Sequence, residues 1–264
     1  MAERPLAVLT GASAGIGAEL AREIARDGYD LLLVARRGDR LAKLAESLSD
    51  EFGVTAQGFS ADLSTPDGPA AVEEALSGLG REAEVLINNA GIGGSGPFAN
   101  RPAGADLSML DLNVRAVVDL THRLLPPMVA RRSGGVLNVA SLAAFQPGPN
   151  AAVYYATKSF VLSFSQALHS ELRSKGVCVS ALCPGPVDTE FFQNSGMDDV
   201  LLRRVAPAIA AKTVAAAGWR GFRKGKRVIF PDIASTFRAV AGSLTPNAVV
   251  LPVVRKLHSK DRAK

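Results

Sequence analysis

Cysteine is scarce in this chain: Cys178 and Cys183 are the two in 264 residues, too few for a disulfide framework. They sit five apart in the apolar run VCVSALC. In a strand an odd separation turns them to opposite faces, so no bridge between them is expected and both are read as reduced thiols. Histidine is equally sparse. His122, His169 and His258 are scattered with no second ligand at metal spacing, so they are read as ordinary helix residues and no metal is expected. Long apolar spans are missing too, because the longest uncharged stretches, 133–157 and 239–254, are broken by Gly, Pro and Asn. The opening MAERPLAVLT has no basic segment followed by a long apolar run, so no secretory leader is expected and a cytoplasmic location is. Repeats, low-complexity blocks and Pro/Gly/Ser linkers do not occur. With 47% hydrophobic and 21% charged residues, disordered and fibrous classes drop out, and the length suffices for a buried core.

The net charge of +5 is unevenly spread. Residues 1–200 carry 16 Lys and Arg against 23 Asp and Glu, whereas residues 201–264 carry 14 against 2. The excess of positive charge belongs to a C-terminal region and not to the body. Its basic stretches lack interleaved aromatics, and no nucleic-acid partner is expected.

What is present is an alternation. Short apolar runs at Leu6–Thr10, Tyr29–Ala35, Val54–Ser60, Val85–Asn88, Val136–Ala140, Val177–Leu182 and Arg227–Phe230 read as strands. Helical periodicity occupies about 16–27, 39–51, 67–78, 105–131 and 151–175, with Gly28 and Gly176 as C-terminal stops. Strands apolar on both faces, separated by helices, predict right-handed crossovers. The expected fold is α/β, a doubly wound (Rossmann) parallel sheet of about seven strands in a single domain, 1–264. Residues 189–215 break the rhythm with Phe191, Phe192, Met197, Leu201 and Leu202, and are expected to cover a substrate. Residues 246–264 read as a helix, Pro246–His258, and a basic tail.

The first strand runs into Thr10-Gly11-Ala12-Ser13-Ala14-Gly15-Ile16-Gly17, and a helix begins at once. Gly11 permits a tight turn, Gly15 lets backbone approach an anion, and Gly17 allows the helix to pack closely on the strand. A pyrophosphate would then meet free N–H groups at the positive end of the helix dipole. The second strand ends Ala35-Arg36-Arg37, where a nicotinamide cofactor without a 2′-phosphate would want an acidic residue. Guanidinium groups match phosphate and stay charged, which favours NADP(H), although the same arginines could begin a solvated helix with Asp39 and Arg40.

The helical segment 151–175 holds Tyr154 and Lys158 four apart on one face, while Tyr155 has Ser159 at that spacing and is not the pair. A nearby ammonium is expected to lower the Tyr154 pKa and make it a general acid/base. Ser141, just past the fifth strand, is placed to orient a carbonyl oxygen beside the phenol.

These motifs, in this order and at this spacing, resemble the short-chain dehydrogenase/reductase family over Leu6 to Thr189: Thr10-Gly11-x3-Gly15-x-Gly17, Asp62, Asn88-Asn89-Ala90-Gly91, Asn113, Ser141, Tyr154-x3-Lys158 and Pro184-Gly185. The resemblance implies that Asp62, with Leu63 beside it, meets the adenine ring. It implies that Asn89, Ala90 and Gly91 line the cofactor, as Ser13 and Ile16 do in the glycine turn. Asn113 would hold a water in a proton relay to Lys158, and Pro184, Gly185, Val187 and Thr189 would grip the nicotinamide carboxamide. Where NADP enzymes of the family often carry a basic residue in the glycine turn, this chain has Ala14, which leaves the 2′-phosphate to Arg36 and Arg37. The implied reaction is hydride transfer between the nicotinamide and a small-molecule carbonyl or alcohol, with Tyr154 moving the proton, Lys158 holding the ribose and Ser141 stabilising the oxyanion.

The alternative reading is a cofactor-binding redox sensor with little turnover, which would have no need of the acid/base set. Phe164, Leu168 and Leu172 form a stripe that suits either a core or a homo-oligomer interface, and a homo-oligomer is expected. The cluster Arg220, Arg223, Lys224, Lys226 and Arg227, with Arg255, Lys256, Lys260, Arg262 and Lys264, reads as solvated surface or as a contact for an acidic carrier or peripheral membrane surface. The apolar cover suits a lipophilic carbonyl such as a 3-oxoacyl thioester or a steroid-like ketone.

Overall fold

Strand β1 (Leu6–Thr10) is buried along its whole length, so it needs cover on both faces. Leu6 and Val8 point into one apolar layer, Ala7 and Leu9 into the other. The same logic holds for β2 (Asp30–Ala35), β4 (Ala83–Asn88), β5 (Gly135–Val139) and β6 (Cys178–Leu182). With β3 (Ala56–Ser60) and β7 (Val228–Ile229) at the edges, they form one seven-stranded parallel sheet of order β3-β2-β1-β4-β5-β6-β7. The computed structural model describes residues 3–196 and 207–258. Met197, Leu201 and Leu202 of the expected cover, and the tail cations Lys260, Arg262 and Lys264, lie outside the described residues, as does the Phe192 side chain.

Two helical layers complete the sandwich. Helices α1 (Gly15–Arg26) and α2 (Gly38–Phe52) present Leu20, Ile24, Leu41 and Leu48 to one face. On the other lie α3 (Asp67–Gly78), α4 (Ala103–Leu110), α5 (Ala116–Arg131) and α6 (Ala152–Leu172), of which α3, α5 and α6 contribute Val72, Leu120, Met128 and Leu172. Each such leucine or isoleucine stabilises the fold by about 1.5–3 kcal/mol relative to exposure. Leu168 and Leu172 pack into this core, while Phe164 stacks on the exposed Phe160 at 5.7 Å.

The sequence reads 105–131 as one helix. The structure instead inserts a π-helical turn, Asp111–Arg115, between α4 and α5, and the turn carries Asn113 inward. A polar chain ties α6 to the sheet through its centre: Asn88 Nδ2 donates to Asn138 Oδ1 at 2.9 Å and Asn138 Nδ2 to Ser165 Oγ at 2.9 Å.

After β6 come α7 (Glu190–Ser195), α8 (Ala211–Arg223), α9 (Ile233–Leu244) and α10 (Asn247–Leu257). A parallel bridge, Val187 with Ile209, closes the base of the expected cover. In α8, Trp219 and Arg223 both bond Asp27 at the end of α1, so Arg223 serves the fold. Both thiols are free, Cys183 buried and Cys178 half-buried.

Candidate active site

Strand order reverses between β1 and β4, and their carboxyl ends part to open a crevice, the place where such sheets take ligands. One cavity of about 1090 Å³ begins there at the glycine turn and extends to the C-terminal helices. Of the residues expected to form the site, Gly11, Ser13, Gly15, Ile16, Gly17, Arg36, Arg37, Asp62, Leu63, Asn89, Ala90, Gly91, Ser141, Tyr154, Lys158, Pro184, Gly185, Val187 and Thr189 all line it; Asn113 stands behind the wall.

The floor at the glycine turn is shaped for an anion. Helix α1 starts with no side-chain cap and no acidic residue in its first turn, leaving its first N–H groups unclaimed by side chains. Gly15 takes φ +56°, and a Cβ there would lie 2.9 Å from Thr189 Cγ2. At Gly17 a Cβ would collide with the Gly11 carbonyl and Asn89 Nδ2, so only glycine lets α1 approach so closely. Thr10 Oγ1 accepts from the Asn89 and Ala90 N–H groups, each at 3.0 Å, and Asn89 Nδ2 donates to the Thr10 carbonyl at 3.0 Å. These bonds lock the ends of β1 and β4 together beneath the crevice. A cradle of this kind fits a dinucleotide pyrophosphate.

At the end of β2, Arg37 already has partners. Its Nη2 donates to Ser13 Oγ at 3.0 Å, and its Nη1 pairs with Glu190 at 2.7 Å; Arg40 pairs with the other oxygen of Glu190, also at 2.7 Å. The two guanidinium groups hold the Glu190 carboxyl below the usual range. Glu190 opens α7, so this ion pair straps the cover to the β2–α2 turn across the cofactor side of the crevice. Arg36 stays exposed beside Asp62. Asp62 Oδ1 accepts from Ser64 N at 2.9 Å and Ser64 Oγ at 2.7 Å, which lowers its pKa.

Ser141, Tyr154 and Lys158 converge on the mid-cavity. Ser141 caps the 3-10 turn Leu142–Phe145, accepting from Ala143 N at 3.1 Å. Lys158 is 6% exposed, donates from Nζ to the Val139 carbonyl at 2.8 Å, and lies 6.0 Å from the Tyr154 ring centroid. Burial pushes Lys158 down to about 8. It pushes Tyr154 up to about 12, only partly offset by the nearby Ser141 hydroxyl. The lowering of Tyr154 expected from its i, i+4 lysine is therefore absent in the chain itself. Desolvation outweighs an ammonium that is itself held by a carbonyl.

Asn113 is tied into the wall behind the crevice. Its Oδ1 accepts from Ile92 N at 2.9 Å, and its Nδ2 donates to the Ile92 carbonyl at 2.9 Å and to Thr157 Oγ1 at 3.2 Å. With both ends of the amide engaged, the side chain fixes Gly91–Ile92 and the turn before Lys158.

Two further corrections concern the far end. The expected cover contributes Phe191, whose ring lies 5.6 Å from that of Tyr154, but much of the wall comes from α9 and α10 through Gly242, Thr245, Val250 and Val254. And His258 is no ordinary helix residue. It is 4% exposed, and its Nε2 meets the Tyr155 hydroxyl at 2.7 Å. Sequence reading missed α9, Tyr155, His258 and Glu190 as parts of the site. Asp232, which caps α9 by accepting from Ser235 N at 2.6 Å, was a usable signal for the helix.

Comparison with known proteins agrees with this arrangement. The sequence profile of the short chain dehydrogenase family matches residues 5–199. The very-long-chain 3-oxoacyl-CoA reductase-B of Danio rerio is 36% identical over 188 residues, 70% of this chain. The matched segment spans 60% of that reductase, less than two thirds of its length. A short-chain dehydrogenase from Sphingobium yanoikuyae, solved in complex with NADPH, superposes with a TM-score of 0.81 at 34% identity, covering 98% of this chain and 100% of that one. The bulky-bulky ketone specific alcohol dehydrogenase from Comamonas testosteroni superposes with a TM-score of 0.78 at 30% identity, covering 99% of each chain. With the glycine cradle, the Ser141–Tyr154–Lys158 cluster and a sequence profile spanning most of its length, the chain belongs to the short-chain dehydrogenase/reductase family.

Proposed function

We propose that the protein is an NADP(H)-dependent oxidoreductase that interconverts a lipophilic ketone or aldehyde and its alcohol. The observation that carries this reading is one cavity in which an uncapped helix start faces Ser141, Tyr154 and Lys158, with an apolar wall beyond them. When bound, NADP(H) supplies the hydride. The α1 N-terminus and the backbone at Gly11–Gly17 would hold the pyrophosphate, and Asp62 and Leu63 the adenine. Arg36, together with Arg37, would take the 2′-phosphate. Asn89, Ala90, Gly91, Pro184, Gly185, Val187 and Thr189 would line the nicotinamide end. The Sphingobium relative, solved with NADPH, supports the cofactor, and the Comamonas enzyme's bulky ketones support the substrate class.

The side chains divide the remaining work. Ser141 donates to the carbonyl oxygen, and the Tyr154 hydroxyl, kept protonated by burial, passes its proton to the developing alkoxide. Lys158, charged below about pH 8, holds the ribose and stabilises the phenolate left behind. Asn113 keeps the Gly91–Ile92 backbone and Thr157 in register with Lys158. Val250 and Val254 favour an apolar substrate body over a sugar; a 3-oxoacyl thioester and a steroid-like ketone both satisfy that. A homo-oligomer, and contact of the basic C-terminal region with an acidic carrier or membrane surface, belong to the same reading on the strength of sequence pattern.

The test is a panel of bulky ketones, acyl thioesters and sugars scored by oxidation of NADPH and of NADH. Turnover of bulky carbonyls with NADPH is expected. Turnover restricted to sugars, or preferring NADH, would overturn this assignment.

A further inference from the structure

Helix α9 sits on the body by its small side. Ser235 and Ala239 are buried, and a Cβ at Gly242 would lie 3.0 Å from Gln146 Oε1 and 3.4 Å from the Phe145 carbonyl oxygen. Only small residues allow that approach, so the large ones are turned out. Ile233, Phe237, Val240 and Leu244 fall on one line along the opposite side of the helix, each between 50% and 78% exposed. On α10, Val249 and Val253 are 56% and 53% exposed. Seven of the twelve large apolar residues exposed among the described residues lie on these two helices. Single exposed apolar residues are ordinary, whereas a patch of this kind marks an interaction surface.

The patch is continuous with the substrate cavity. Val249 and Val253 line that cavity as well, and so do Arg238 and Ala241 of α9, which follow Phe237 and Val240. The cavity therefore opens beside the apolar line, about a quarter turn round α9 from it. Charge narrows the choice of partner. From 233 to 258 the sequence holds Arg238, Arg255 and Lys256, all exposed, and no Asp or Glu. A second copy docked about a two-fold axis would set the patch against itself, cations facing cations with no carboxylate in the patch to answer them. An acidic carrier protein would answer the cations but not a line of large apolar side chains about 16 Å long. An anionic bilayer answers both, with headgroups for the cations and acyl chains for the stripe. Among the described residues no helix is long and apolar enough to cross a membrane, so the contact is with its surface.

We infer that α9 and α10 dock the protein on the surface of an anionic lipid bilayer, with the cavity opening toward the lipid, so that a lipophilic ketone is drawn directly from the membrane. Docking stands on the two helices alone, whereas delivery of the ketone rests on the oxidoreductase reading. Phe237, Val240 and Leu244 enter the boundary between headgroups and acyl chains, and the basic side chains stay at headgroup level. Val249 and Val253 then form an apolar threshold between lipid and cavity.

The experiment sediments the full chain with vesicles of phosphatidylcholine alone and of phosphatidylcholine containing one third phosphatidylglycerol. Binding to the anionic vesicles should be about tenfold tighter or more, given three cations near the surface, and should weaken in about 1 M salt, where charges are screened beyond about 3 Å. The double variant Phe237→Ser, Leu244→Ser changes side chains that line no part of the cavity. Its vesicle affinity should fall about tenfold or more, its kcat/KM for a water-soluble ketone with NADPH should be unchanged, and its turnover of a vesicle-borne ketone should fall with the binding. Phe237→Trp reads the same face without removing it. Trp219, the single native tryptophan, is buried, so brominated lipid should quench the new indole and leave wild-type fluorescence unchanged; this decides the matter even if the serine variant fails to fold. Failure to sediment with either vesicle, equal binding to both, or an unquenched indole overturns the proposal, as does a concentration-dependent dimer in place of vesicle binding that the serine substitutions dissolve. Equal turnover of the vesicle-borne ketone by both proteins overturns the delivery. Vesicle binding without turnover of any ketone would sink the oxidoreductase reading and leave the docking standing; turnover of a soluble ketone by a protein that ignores vesicles would do the reverse.

Discussion

Replacing Lys158 with methionine should make the fold more stable while removing its activity. Lys158 is 6% exposed, and burial takes its pKa from 10.5 to about 8. At 1.36 kcal/mol per pKa unit, holding the charged form inside costs roughly 3 kcal/mol at pH 7. Methionine removes that penalty and gives up the bond from Nζ to the Val139 carbonyl, 2.8 Å long and worth about 1 kcal/mol. A net gain of about 1–2 kcal/mol remains. The sign also depends on pH. Between about 8 and 10.5 the folded lysine has lost its proton and the unfolded one has kept it, so the unfolded state binds more protons and wild-type stability rises through that window. The advantage of the variant is thus full below pH 8 and gone by pH 10.5. Tyr154, whose pKa is raised, makes both proteins lose stability above pH 10, and this cancels in the difference. Urea denaturation of both proteins at several values between pH 6 and pH 10 measures the gap directly. A gap that does not change with pH, or a variant weaker than wild type at pH 7, would show that Lys158 is not a buried cation.

Three other substitutions probe the cradle, the strap and the sheet centre. Gly17→Ala drives a methyl group against the Gly11 carbonyl and Asn89 Nδ2; it should abolish NADPH binding and lower stability by about 1–3 kcal/mol, both readable by thermal shift with and without cofactor. Glu190→Gln weakens the claim of the cover on Arg37 and Arg40, so NADPH should bind several-fold tighter while NADH is unchanged. Fluorescence titration checks this, and equal changes for the two cofactors would refute it. Asn138→Ala removes the acceptor of Asn88 and a donor to Ser165; a loss of about 2–3 kcal/mol in denaturation is expected, with a lower kcat because α6 loses a tie to the sheet.

The elements that were legible in the sequence are those whose burial is uniform. β1, β2 and β6 are apolar on both faces, and the observed strands lie within a residue of the expected ones. The glycine turn was legible because Gly15 and Gly17 are dictated by local backbone geometry. Helix α9 was not, since its large apolar residues Ile233, Phe237 and Leu244 are 76%, 72% and 78% exposed, while its buried side carries Ser235 and Ala239. An amphipathic pattern read in the usual way would point that helix inside out. Long-range pairing was equally hidden. Arg37 and Glu190 are 153 residues apart, Tyr155 and His258 103 apart, and neither member signals its partner. The Tyr154–Lys158 spacing did place both groups together, but spacing carries no information on desolvation, which sets the pKa of each.

The role given to Tyr154 can be examined by following NADPH oxidation with a bulky ketone in wild type and in Tyr154→Phe, together with the NADPH dissociation constant of each. Loss of the hydroxyl should lower kcat by about 10²–10⁴-fold, the usual contribution of a positioned general acid, and leave NADPH affinity within a factor of two. Turnover by Tyr154→Phe at the wild-type rate would remove the tyrosine from the chemistry and the catalytic reading with it.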